Sequence, residues 1–190
     1  MRFSAVLTFA AAVMASPITV RQVGASPNVY QLYTKSNFAE VNDKPLSVVS
    51  GRVGIWSGSA DALSVSNSGP TATTLSTGTD ASTALGVNAT TRNDGSKTYL
   101  QPLIATAQDS APASFSADGF KLTPLSETGD AQTYSVSWAD ARSWLAGPVR
   151  ENAESGSPGG WEIMMRPNTD GVVAQIYMPV EIIAKLVTQS

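Results

Sequence analysis

The 190-residue chain contains no cysteine and no histidine. Without cysteine there is no disulfide, no thiolate metal site and no thiol nucleophile, so packing alone must hold the fold. Without histidine the chain lacks the commonest general base at neutral pH, every form of Ser-His-Asp chemistry, and the ligands on which most catalytic zinc and copper sites depend. Charge is sparse, at 14% of residues, with 12 Lys plus Arg against 15 Asp plus Glu and a net charge of -3. The basic residues form no cluster, which argues against nucleic acid as a partner. No apolar run reaches the roughly 20 residues of a bilayer-spanning helix. The longest candidate, residues 172–187, is broken by Glu181 and Lys185, and the polar Thr188-Gln189-Ser190 after it is unlike the hydrophobic tail of a lipid-anchor signal, so no membrane partner is expected. Nucleophile motifs of the Gly-x-Ser-x-Gly and Ser-x-x-Lys types, Gly-rich phosphate loops and calcium-loop spacing are missing as well. Asn93-Asp94-Gly95 and Asn168-Thr169-Asp170-Gly171 hold oxygen side chains, but turns favour the same residues for their backbone geometry. These absences predict a protein with no cofactor, no metal and no catalytic step.

The features present begin with the leader. Arg2 is followed by an apolar run from Ala5 to Ala15, with small Val13 and Ala15 at the minus-three and minus-one positions of a cleavage site. That order of basic, apolar and small residues predicts a signal peptide over residues 1–15 and an extracellular protein. Residues 16–28 then form an N-terminal extension in which Arg21 offers a trimming site, and residues 29–190 form one β domain of ordinary size. Loss of Arg2 leaves 11 basic against 15 acidic residues, a net charge of -4.

The body is rich in Ser, Thr, Ala and Gly with alternating apolar positions, which predicts an antiparallel β-sandwich or β-barrel with one short helix. Val29 to Thr34 reads as a strand with Tyr30 and Leu32 on one face. Ser47 to Trp56 reads as one or two strands broken near Ser50-Gly51. Weaker strands are expected over 62–66, 73–76 and 84–90. Thr98 to Ala107 reads as an edge strand with Leu100, Pro102 and Ile104 on one face, because proline cannot donate to a ladder. Asp118-Gly119 between Phe115 and Leu122 is a two-residue hairpin signal. Gln132 to Trp138 alternates with Tyr134, Val136 and Trp138 inward. Over 137–147 the pattern becomes helical: Ser137 and Asp140 resemble a capping box, Trp138, Ala141 and Leu145 recur at helical spacing, and Gly147-Pro148 forms a stop. Trp161, Ile163 and Met165, a turn at 168–171, and Ala174, Ile176, Met178, Val180 and Ile182 predict a closing hairpin. The ion-pair spacing of Glu181 and Lys185 leaves a helix over 180–187 as the alternative.

A hydrolase without histidine would need paired carboxylates, for which Asp140, Glu151, Glu154, Glu162 and Glu181 are the candidates. Glu162 and Glu181 fall on the outer faces of their strands, where solvated charge is the simpler expectation. Trp138 and Trp161 sit in alternating patterns and are expected in the core. Trp56 and Trp144 are the aromatic residues that could instead stand exposed and bind a ligand. Asn88-Ala89-Thr90 is a glycosylation sequon that marks Asn88 as a modification site.

Met1-Arg2-Phe3-Ser4 with its Ala-rich run and Pro17-Ile18-Thr19-Val20-Arg21-Gln22, followed by a β body containing Tyr99-Leu100-Gln101-Pro102-Leu103 and the 115–122 segment, resembles fungal small secreted proteins of the cell-wall-associated, IgE-binding-like and elicitor types. The resemblance implies a secreted surface or apoplastic protein that acts by binding, with a host protein or cell-wall polysaccharide as partner. A carbohydrate-binding module and a glycoside hydrolase are the alternatives.

Overall fold

The computed structural model describes residues 28–58, 61–67, 73–77, 82–89, 100–126, 132–139, 141–151, 159–168 and 175–187. The leader, the extension up to residue 27, the Asn93-Asp94-Gly95 turn, Asp140, Glu154 and residues 169–171 lie outside them.

Alternation builds the first strand. β1 (Asn28–Lys35) buries Tyr30, Leu32 and Thr34 and turns Val29, Gln31 and Tyr33 to the other face. After it come β2 (Ser47–Val49), β3 (Arg52–Trp56), β4 (Ser64–Asn67), β5 (Leu75–Thr77), β6 (Thr83–Asn88), β7 (Gln101–Ala107), β8 (Phe115–Ser116), β9 (Phe120–Pro124), β10 (Thr133–Trp138), β11 (Ala141–Val149), β12 (Gly160–Pro167) and β13 (Met178–Leu186). All pairings among them are antiparallel. A ring runs β1, β4, β5, β6, β7, β12, β11, β13 and back to β1. The fold is therefore a closed barrel rather than a sandwich. β2 and β3, β8, and β9 and β10 are attached outside the ring.

Register keeps one face inward around the whole ring. Leu32 faces Ala184, Trp144 faces both Val180 and Met165, Leu103 faces Val87, Leu85 faces Leu75, and Val65 faces Tyr30. All of these residues are buried and belong to one hydrophobic cluster that also takes in Ile163 and Ile182. An eight-stranded barrel is just wide enough for side chains to fill it, and this one is filled, so its interior is a core.

The break between β2 and β3 is a two-residue hairpin. Ser50 and Gly51 have φ of 50° and 78°, and Val49 pairs with Arg52 across them. Positive φ at both central residues gives the turn the twist that flanking strands need. Asp118-Gly119 is not a hairpin of this kind. β8 pairs with β6 and β9 with β10, so the chain leaves one partner for another at that point.

Four further expectations are corrected. Residues 141–149 are strand, and no α-helix occurs among the described residues. Trp144, Leu145, Ala146 and Gly147 are all buried because β11 is covered on both faces. Two-sided burial erases the period-two signal and leaves an apolar run that also satisfies helical spacing. Second, β12 and β13 are not a hairpin, since β11 lies between them and pairs with both. β13 begins at Met178, and Ile176 before it is 60% exposed. Third, β7 is no edge strand: it lies between β6 and β12 in the ring and buries Gln101, Leu103 and Ala105, with Pro102 and Ile104 on the outer face. Fourth, Glu162 is 1% exposed rather than solvated.

Gly160 marks a close approach between strands. Its φ is 153°, and a Cβ there would stand 2.1 Å from the Ile55 carbonyl oxygen. Next to it, the Ser57 amide donates to the Gly159 carbonyl at 3.0 Å. Gly160→Ala must push β3 away from β12, and we expect it to cost about 1–3 kcal/mol, the range for overpacking a tight interior. A denaturant melt checks this, and a change below about 0.5 kcal/mol would show that the approach is not tight.

Candidate functional site

Two polar constellations stand out from the core. The first is an ion pair on the outer face of the barrel. Glu162 on β12 lies between Gly54 on β3 and Gly147 on β11 in the ladder. A side chain at Gly54 would collide with the ring of Trp56, and one at Gly147 with the ring of Tyr177. These two aromatic residues thus occupy the space beside the carboxylate that the glycines leave open. Arg52 closes the arrangement as a two-pronged fork, with Nε donating to Oε1 at 2.7 Å and Nη2 to Oε2 at 2.6 Å. Burial pushes the Glu162 carboxyl above its ordinary range, and the charge and hydrogen bonds of Arg52 pull against that rise. Both carboxylate oxygens already have a donor, so the pair works as a clamp between β3 and β12 and offers no free acid.

The second constellation is an open cleft of about 550 Å3, lined by Lys35, Ser36, Asn37, Asn42, Asp43, Ser143, Pro179, Val180 and Glu181. Its size lies within the range of small-ligand sites. β1 and β13 bring Lys35 opposite Glu181, and their charges are 3.8 Å apart with both side chains mostly exposed. The rest of one wall is the chain following β1. Val41 is fully buried beneath it, and the Thr34 hydroxyl donates to the Val41 and Lys44 carbonyls. The Asp43 amide donates to the Thr34 carbonyl at 2.9 Å, and Asp43 itself has a φ of 52°. At the rim, the Ser36 amide donates to Asn42 Oδ1 at 2.9 Å, and the Ser36 hydroxyl donates to the Pro179 carbonyl at 2.7 Å. Asn42 Nδ2 donates to Asp43 Oδ2 at 3.0 Å. Bonds to main chain tie the two sides of the cleft at its rim. Phe38, in the same segment, is 44% exposed, and its amide donates to the Ser36 hydroxyl oxygen at 3.3 Å.

The structure separates the residues singled out from sequence. Trp56 and Trp144 are 6% and 4% exposed, and each indole N–H is held by a main-chain carbonyl, of Ser47 at 3.3 Å and of Val136 at 2.9 Å. Neither ring is an exposed platform. Trp138 is buried against Phe120 in an edge-to-face contact at 4.8 Å between ring centroids, and Trp161 is half-buried. Glu181 lines the cleft, Glu151 is exposed, and Glu162 is sealed in its clamp. Asn88 is half-buried at the end of β6, where its Oδ1 accepts from the Ser114 hydroxyl at 2.6 Å. Sequence reasoning missed Asn37, Asn42, Asp43 and Ser143. For Asn37, Asn42 and Asp43 the only signal in the sequence was a polar interval between two strands, which is how any surface turn reads, and Ser143 fell in the run that reads as helix.

No family model, no curated protein and no solved structure matches the chain.

Proposed function

We propose that this chain is a secreted protein that acts by binding, without a chemical step of its own, and that the cleft beside β1 and β13 is where it meets its ligand. The observation that carries the reading is the cleft's construction: polar side chains around an open space whose rim is tied by Ser36 and Asn42 bonds to main chain, while the barrel interior is filled. The two carboxylates at the cleft, Asp43 and Glu181, are both exposed. The resemblance to fungal small secreted proteins and the signal-peptide pattern support an extracellular setting, with wall polysaccharide or a host protein as partner. Under this reading Asn88 is open to glycosylation in the secretory pathway.

The test is to incubate the purified secreted protein with insoluble chitin, glucan and cellulose and with immobilised host surface proteins, and to measure retention and released products together. We expect retention on one of these without release of soluble fragments. Fragment release that disappears in Asp43→Asn or Glu181→Gln would replace the binding reading with a hydrolase.

A further inference from the structure

We infer that the cleft takes a neutral, polyhydroxylated ligand, a saccharide unit, with the ring of Phe38 as the apolar face against which the sugar packs; this rests on the reading of the cleft as the binding site. The lining carries one cation, Lys35, and two anions, Asp43 and Glu181, and Lys35 is already set against Glu181. A phosphate, sulfate or carboxylate would meet net negative charge, which disfavours an anionic ligand.

Asn37, Asn42 and Ser143 can each donate and accept, Lys35 only donates, and the two carboxylates only accept. Sugar hydroxyls also donate and accept, so they pair with such a mixed set on every edge. An apolar ligand would leave these groups unpaired, since Pro179 and Val180 are the main apolar lining. Asn37 and Ser143 hold no side-chain hydrogen bond within the described residues, so they can bond a ligand without giving up an internal partner.

Phe38 is the one large aromatic among the exposed hydrophobic side chains of the described residues; it is not itself a lining residue, but its amide is bonded to the Ser36 hydroxyl at the rim, so its ring stands next to the cleft and outside it. A ring left in water gains by covering itself with the C–H face of a pyranose, while its neighbours bond the hydroxyls. Exposed aromatics recruited in this way act as anchors in binding.

The experiment is calorimetric titration of the secreted protein with tetrasaccharides of chitin, β-glucan and cellulose type, with inorganic phosphate and a sulfated oligosaccharide as anionic probes. We expect saturable binding of one neutral tetrasaccharide and none of the anions. Phe38→Ala and Asn37→Ala should each weaken that binding by about three- to tenfold, the worth of one ring contact or one hydrogen bond. Phe38→Tyr, which keeps the ring, should bind as the unaltered protein does. Melts of each variant separate lost binding from lost fold. Tight binding of the anionic probes would overturn the saccharide inference and leave the cleft intact as a binding site. Saccharide binding unchanged in both alanine variants would overturn the cleft as its location. Saccharide binding accompanied by cleavage would keep the ligand class and overturn binding without chemistry.

Discussion

Ile182→Ala should destabilise the protein by about 2–5 kcal/mol, while Ile176→Ala should change it by less than about 0.5 kcal/mol. The two residues share a chemistry and lie six positions apart with the same parity, so strand alternation alone would bury both. Ile182 is fully buried on β13, facing Thr34 of β1 on one side and Val136 of β10 on the other. Truncating it leaves a cavity at a junction of three strands, which a filled barrel can close only by moving a strand. Ile176 is 60% exposed before β13 begins. Paired denaturant titrations measure both, and similar losses would mean that β13 starts earlier than Met178.

Removing the Arg52 fork should produce a loss that depends on pH. Arg52→Gln leaves a carboxylate that is 1% exposed without its cation, and breaking a buried pair in this way costs about 3 kcal/mol or more near neutral pH. Half of the Arg52 side chain faces water, which holds the expected loss to the lower end of the range. At pH 4 the carboxyl of the variant binds a proton, the uncompensated charge disappears, and the loss should shrink. Direction follows from the raised proton affinity of Glu162 in the fold. An acid whose pKa is higher folded than unfolded contributes most below the unfolded carboxyl range, and that contribution is lost as pH rises through the folded value. Arg52 opposes this rise, so the variant should show a steeper decline of stability with pH than the parent. Parallel stability curves for the two proteins between pH 4 and 8 would show that Arg52 does not act on Glu162.

Most of the ring strands were legible because one face of each is buried and the other is not. β1, the break at Ser50-Gly51 and the inward residues of β10 follow from alternation and turn chemistry alone. β11 was not legible. Its run from Trp144 to Gly147 is buried from both sides, and the covering side chains come from distant parts of the chain. The choice of barrel over sandwich depends on β1 meeting β13 across the whole length of the domain, a pairing with no local signature. Glu162 read as surface because a charged residue on an outer face normally is. Its burial depends on Gly54, Gly147 and Arg52, which reach it only through the ladder. The cleft was hidden for the same reason: Lys35 to Asp43, Ser143 and Glu181 become neighbours only when β1, β11 and β13 assemble. Trp56 and Trp144 attracted attention as large aromatics, and the fold buries both with each indole N–H bonded to a main-chain carbonyl.

An amide chemical-shift map tests the central claim most directly. Isotope-labelled protein would be titrated with the neutral tetrasaccharide that binds, or with the retained host protein if none does. Ligand contact at the cleft requires saturable shifts confined to residues 35–43, Ser143 and 179–181, with the amides of the filled barrel and of the Arg52–Glu162 clamp unmoved. Shifts centred on β2 and β3, on β9, or inside the barrel, with the cleft residues silent, would contradict the account.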